Sequence, residues 1–165
     1  MDDLARRLRD AGSALLGLRG SLVAGEPWPL SEQWGTEPEA DWGPRELLAH
    51  VNEMLPYWTE QLEMVLAGDP AVAVPFGRVA TDEARLGRIG ADREQPVDRL
   101  LDQVDAGLVL AGAFVAGLSA TDASRLGLHS IRGELTVGAA VERFLVSHLE
   151  DHVEQLRGIL ARQPA

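Results

Sequence analysis

The 165-residue chain contains no cysteine and no lysine. Without cysteine there can be no disulfide, no thiolate metal ligand and no cysteine nucleophile. Without lysine, Schiff-base chemistry and the lysine of a phosphate-binding loop are excluded as well. All 15 basic residues are arginine, and they are scattered rather than run together. With a net charge of −11 and a pI near 4.7, the chain offers no counter-charge to a phosphate backbone, so no nucleic-acid partner is expected. No stretch approaches the roughly 20 apolar residues that cross a bilayer. The start, MDDLARRLRDAG, is amphipathic and charged rather than a basic segment leading into an apolar one, so no signal peptide is expected. A cytoplasmic protein without a membrane partner follows as the expectation.

What is present is ordinary globular material, with 45% hydrophobic and 25% charged residues, and the length suits one domain over residues 1–165. Apolar residues recur at three- and four-residue steps in four segments, which predicts an all-α four-helix bundle. The first helix is expected over about Asp3 to Val23, on the stripe Leu4, Leu8, Ala11, Leu15, Leu18 and Leu22. Gly25 to Gly43, with Trp28, Trp34 and Trp42, reads as a loop that packs aromatics either on its own bundle or on a second subunit. The second helix should start at Pro44, where a missing amide hydrogen costs nothing, and reach about Ala67. Pro56 inside it predicts a kink. Gly68 to Gln95 shows little regular pattern beyond a short helix across Thr81 to Ile89, and no strand pattern stands out. The third helix is expected over about Pro96 to Leu118 and the fourth over about Thr136 to Arg162. A long connection between the second and third lets consecutive helices run parallel, an up-down-down-up order.

Histidine placement carries the chemistry. His148 and His152 lie one helical turn apart in SHLEDHVEQL, so both rings leave one face and can meet one cation. On a helical wheel both fall at the centre of the apolar arc formed by Val141, Leu145, Leu156 and Ile159. Two adjacent buried imidazoles leave ring nitrogens that need partners, and a shared metal removes that cost. A third histidine, His50, stands in the second helix within WGPRELLAHVNEMLPYW. The three could form a site with positions left open for water or substrate. Glu46 and Glu53 lie four residues before His50 and three after it. Each either orients a ligating imidazole or faces solvent. Asp151 and Gln155 beside the pair are equally open. His129, in SRLGLHSIRGELT, has no partner at helical spacing and is expected in a loop-packing role.

The segments WGPRELLAHV, PFGRVATDEARLGRI and SHLEDHVEQL, in that order, resemble the DinB-like (YfiT-like) superfamily from about Trp42 to Leu160. The resemblance implies a four-helix bundle of up-down-down-up order, with metal-binding histidines at positions matching His50, His148 and His152. It implies a divalent cation, zinc or nickel, and relatives that include transferases and isomerases using mycothiol, bacillithiol or glutathione. Other relatives are described as hydrolases, and a non-catalytic metal- or ligand-binding bundle is the alternative from another class. The chain ends after the fourth helix, without the added C-terminal domain of mycothiol-dependent maleylpyruvate isomerases, so that particular reaction is not expected. A small-molecule substrate and a possible homodimer are implied. Glu53 and Tyr57 are candidates for catalysis, Gln61 for lining the pocket, and Arg78 and Arg85 for contacting an anionic cofactor or substrate.

Overall fold

The computed structural model describes residues 1–32 and 39–162, so Trp34 lies outside the described residues. Helix α1 (Asp2–Gly17) and short α2 (Arg19–Ala24) replace the single first helix expected, with the break at Leu18. A one-turn 3₁₀ helix (Glu39–Asp41) leads into α3 (Pro44–Ala67), which keeps Pro44 in its first turn and carries Pro56 without interruption of the helix. Then follow α4 (Glu83–Asp92), α5 (Val97–Gly117), α6 (Ala120–Ser124) and α7 (Val137–Val141). A π-helical segment (Glu142–Ser147) joins α7 to α8 (His148–Ala161), so the last long helix is continuous.

Residue pairs across the bundle give its directions. Gly12 of α1 abuts Leu108 of α5, while Arg19 pairs with Asp98 and Asp102 near the start of α5, so α1 and α5 are antiparallel. Asn52 of α3 donates to the Leu100 carbonyl at 3.1 Å, and Gly107 abuts Leu55, so α3 and α5 run parallel. His50 meets His148, and Trp58 stacks on Phe144, so the last helix runs antiparallel to α3. Leu47, Leu48, Val51, Leu55, Leu62, Leu100, Leu101, Val104, Leu145, Leu149 and Leu156 fill the space between.

The strict all-α expectation is corrected by a small sheet, β1 (Val74–Phe76), β2 (Leu126–His129) and β3 (Gly133–Thr136). Strand β1 pairs in parallel with β2, and β2 pairs antiparallel with β3. Strands of three or four residues carry too few alternations to declare themselves in sequence. Gly77 ends β1 at φ +81, and a Cβ there would lie 2.7 Å from the His129 ring, so the close approach of that turn needs glycine.

The apolarity of α5 also exceeds what was expected. Its 21 residues, with a mean hydropathy of 1.5 in the best window, are long and apolar enough to cross a membrane by length and composition. In the fold, α5 packs against α1 and α3 through Leu100, Leu101, Val104, Ala111 and Val115. Trp28 and Trp42 are buried in their own bundle, and the Trp28 indole donates to the Leu22 carbonyl at 2.7 Å.

Candidate metal centre

Local sequence sets up each ligand. His50 lies about two turns into α3 and is 2% exposed. His148 opens α8 directly after the π-helical segment, whose wider turn shifts the phase of the helix. A uniform 100° wheel misses that shift, so His148 does not sit at the centre of a buried stripe. It is half-buried and faces a cavity, while His152 one turn on is buried. The fourth member is Glu39, in the 3₁₀ turn. The Trp42 amide donates to the Glu39 carbonyl, and the buried Trp42 ring meets His50 edge-on at 5.7 Å. Packing of one tryptophan thus carries the glutamate to the histidines.

One ligand atom from each of Glu39, His50, His148 and His152 lies within 4.8 Å of all the others. The Nε2 atoms of His50 and His148 face each other at 3.3 Å. Glu39 Oε2 lies 3.5 Å from His148 Nε2 and 3.8 Å from His152 Nε2, and Oε1 lies 3.8 Å from His50 Nε2. Surrounding groups turn the rings this way. Gln155 donates through Nε2 to the Glu39 carbonyl at 2.8 Å, which leaves its Oε1 to accept from His152 Nδ1 at 3.3 Å. His152 Nε2 is then bare, buried and without a partner. Behind His50, Glu53 Oε2 is buried without a hydrogen-bond partner 4.0 Å from Nδ1, and the Arg85 guanidinium stands 3.5 Å from the same nitrogen. One orphaned ring nitrogen, with two more facing each other beside a carboxylate, is a set that a divalent cation would satisfy, so these residues fit one.

Electrostatics favour neutral rings at His50 and His152. Burial, then the charges of His152 and His148, hold His50 well below the usual imidazole range. Burial, then His148, lowers His152 to about 4 against the opposing pull of Glu39 and Gln155. Burial would raise the Glu39 carboxyl. The His148 hydrogen bond and the Arg85 and histidine charges together outweigh it and lower it to about 2. The site therefore presents lone pairs and one negative charge, the donor set a cation takes up.

The residues named from sequence take different places. Glu53 is buried, pairs with Arg78 and backs His50. Arg78 lies over the Tyr57 ring at 3.5 Å and lines the cavity beside the histidines. Burial raises the Tyr57 phenol against the opposing charge of Arg78. Gln61 accepts from the Gly77 amide at 2.8 Å and fixes the turn after β1. Arg85 pairs with Glu39 and donates to the Ala80 carbonyl. Glu46 turns away from His50, fully buried, to accept from Arg93 and the Ser31 amide, so its solvent-facing alternative is corrected. His129 is 4% exposed and lines the same cavity, where a loop-packing role had been expected. Glu39 was missed, because an acid in a tryptophan-rich loop has no periodicity to mark it.

The cavity, of about 1120 Å³, runs from His50 and His148 past Trp58 and Phe144 to His129 and Arg132. The geometry defines a mainly helical bundle protein with a three-histidine, one-glutamate cluster that could hold a metal ion. The family model of the DinB superfamily matches residues 23–156, and the chain belongs to that superfamily. No curated protein and no solved structure matches it.

Proposed function

We propose that this chain is a divalent-metal-dependent cytoplasmic enzyme that transfers a low-molecular-weight thiol to a small electrophile. The observation that carries this is the convergence of three Nε2 atoms and the Glu39 carboxylate, with Glu39, His50 and His148 lining a large cavity. Zinc or nickel, when bound, supplies a Lewis acid that lowers the pKa of a thiol or of water brought to it. In the transfer the thiol loses its proton, a sulfur–carbon bond forms, and the leaving group departs from the electrophile.

The protein's own groups prepare that step. Gln155 accepts from His152 Nδ1 and so aims that ring's lone pair inward, while Glu53 places a carboxylate behind His50. Arg85 positions Glu39 from behind. Trp58 and Phe144 form a dry wall beside the histidines. Of the polar candidates, Arg78 reaches the cavity directly. Glu53 acts through His50, Gln61 through the turn at Gly77, and Tyr57 through its stacking under Arg78. A protein without cysteine that borrows its sulfur from a small molecule is chemically coherent.

Metal analysis of the purified protein and of His148→Ala tests the reading. Stoichiometric zinc or nickel in the parent, lost from the variant, is expected, together with a shift of an added thiol's titration to lower pH. Absence of bound metal, or a variant that keeps it, overturns the metal site. Turnover of esters or amides without any thiol would replace the transferase by a hydrolase.

A further inference from the structure

Two of the four arginines that line the cavity differ from the other two. Arg78 is neutralised by Glu53 and Arg85 by Glu39. Among the described residues, the guanidinium groups of Arg132 and Arg143 have no carboxylate partner, although both line the cavity of a chain with 26 acidic residues. Glu142, the acid beside Arg143, is taken by Arg7 at 3.1 Å. Asp151, the remaining acid of the lining, forms no ion pair with either arginine.

The two arginines come from separate elements, Arg132 from the turn between β2 and β3 and Arg143 from the π-helical segment. Both charges act on the His129 ring, which burial and then Arg132 and Arg143 hold below the usual imidazole range. The Arg132 amide bonds to the His129 ring and Phe144, next to Arg143, stacks on it, so both arginines enter the cavity lining at its His129 end. His129 Nδ1 accepts from the Ile131 and Arg132 amides at 3.1 and 3.3 Å, so this ring also sets the turn that carries Arg132. Next to it, Phe144 stacks on His129 at 5.0 Å and on Trp58 at 4.1 Å, an apolar wall between this end and the metal centre. Arg143 precedes His148 by five residues, which is about 7 Å along a helix.

We propose that Arg132 and Arg143 form an anion subsite that receives a carboxylate of the substrate or cosubstrate, whose apolar body lies along Trp58 and Phe144 toward the histidines. The subsite rests on the cavity being the substrate site, but on neither the metal nor the thiol. Two guanidiniums without a carboxylate partner, lining one cavity beside an apolar wall, favour an organic acid over its neutral analogue through charge-assisted hydrogen bonds.

The test compares 2-naphthoate with 2-naphthamide by isothermal titration against the parent, Arg132→Gln/Arg143→Gln, and His148→Ala, with metal content measured for each. The parent should prefer the acid by at least about tenfold. The double arginine variant should lose that preference while keeping its metal. His148→Ala should keep the preference whether or not it has lost metal. No binding of naphthoate, equal binding of acid and amide, or a preference that survives the double substitution overturns the subsite. A preference lost with His148→Ala places the carboxylate on the metal and overturns it too. The metal content separately reports whether the metal centre itself stands.

Discussion

Two glutamates of α3 look alike in sequence and end in different chemistry. Glu46 precedes His50 by four residues and Glu53 follows it by three, and each is buried with an arginine partner. Glu46 sits in the first turn, where the helix N-terminus favours a carboxylate, and it ties the segment at Ser31 and the end of α4 at Arg93 to α3. Glu53 sits deeper, reaches Arg78 from the connection after β1, and keeps one oxygen for His50. The first acid joins structural elements, whereas the second stands behind a ring of the histidine cluster. What separates them is which segment packs opposite, since both offer the same functional group from the same helix.

The largest expected effect falls on the structural acid. Glu46→Ala removes the buried carboxylate that Arg93 and the Ser31 amide share and should cost roughly 3–5 kcal/mol in urea unfolding. Its folded fraction should still bind metal as the parent does. Loss of metal at unchanged stability would reverse the assignment of the two glutamates.

The pH response belongs to the other end of the comparison. His152 titrates near 6.5 when unfolded but is lowered to about 4 in the fold, so the folded state binds fewer protons between those values. Stability of the metal-free protein is therefore complete above pH 6.5 and is lost as pH falls toward 4. The loss amounts to on the order of 3 kcal/mol from this residue. Denaturation of chelated protein at pH 7 and pH 4 measures it, and a flat profile would mean that His152 is not held neutral by its surroundings.

The smallest of the three effects concerns Glu53. Glu53→Gln removes the negative charge behind His50 and should weaken zinc binding about 10–100-fold in a competition titration. Unfolding of the metal-free protein should change less than for Glu46→Ala. Equal affinities in parent and variant would show that His50 is oriented by its packing alone.

Much of the architecture was legible because it follows from local periodicity. Pro44–Ala67 and Val97–Gly117 emerged within a residue or so of their expected limits, since proline at one end and glycine at the other punctuate strong apolar stripes. The short strands were not legible, because β1 and β2 meet only when residues 74–76 and 127–129 are brought together from opposite ends of the chain's middle. At the site, spacing and the family resemblance singled out the three histidines. Glu39 escaped because its place depends on Trp42 burying its ring against His50. His129 was set aside for want of a helical partner, and its neighbours Trp58, Phe76 and Phe144 come from three other elements.

By itself, the sequence determined that no cysteine or lysine chemistry occurs here, where the long helices lie, and that His148 and His152 leave one face. These are properties of composition and of neighbours within a turn or two. Tertiary structure alone decided that Glu39 closes the histidine cluster, that Glu46 and Glu53 part company, and that Arg132 and Arg143 share one cavity with the cluster. Each of those depends on segments far apart in the chain, and no local pattern records which of them will pack together.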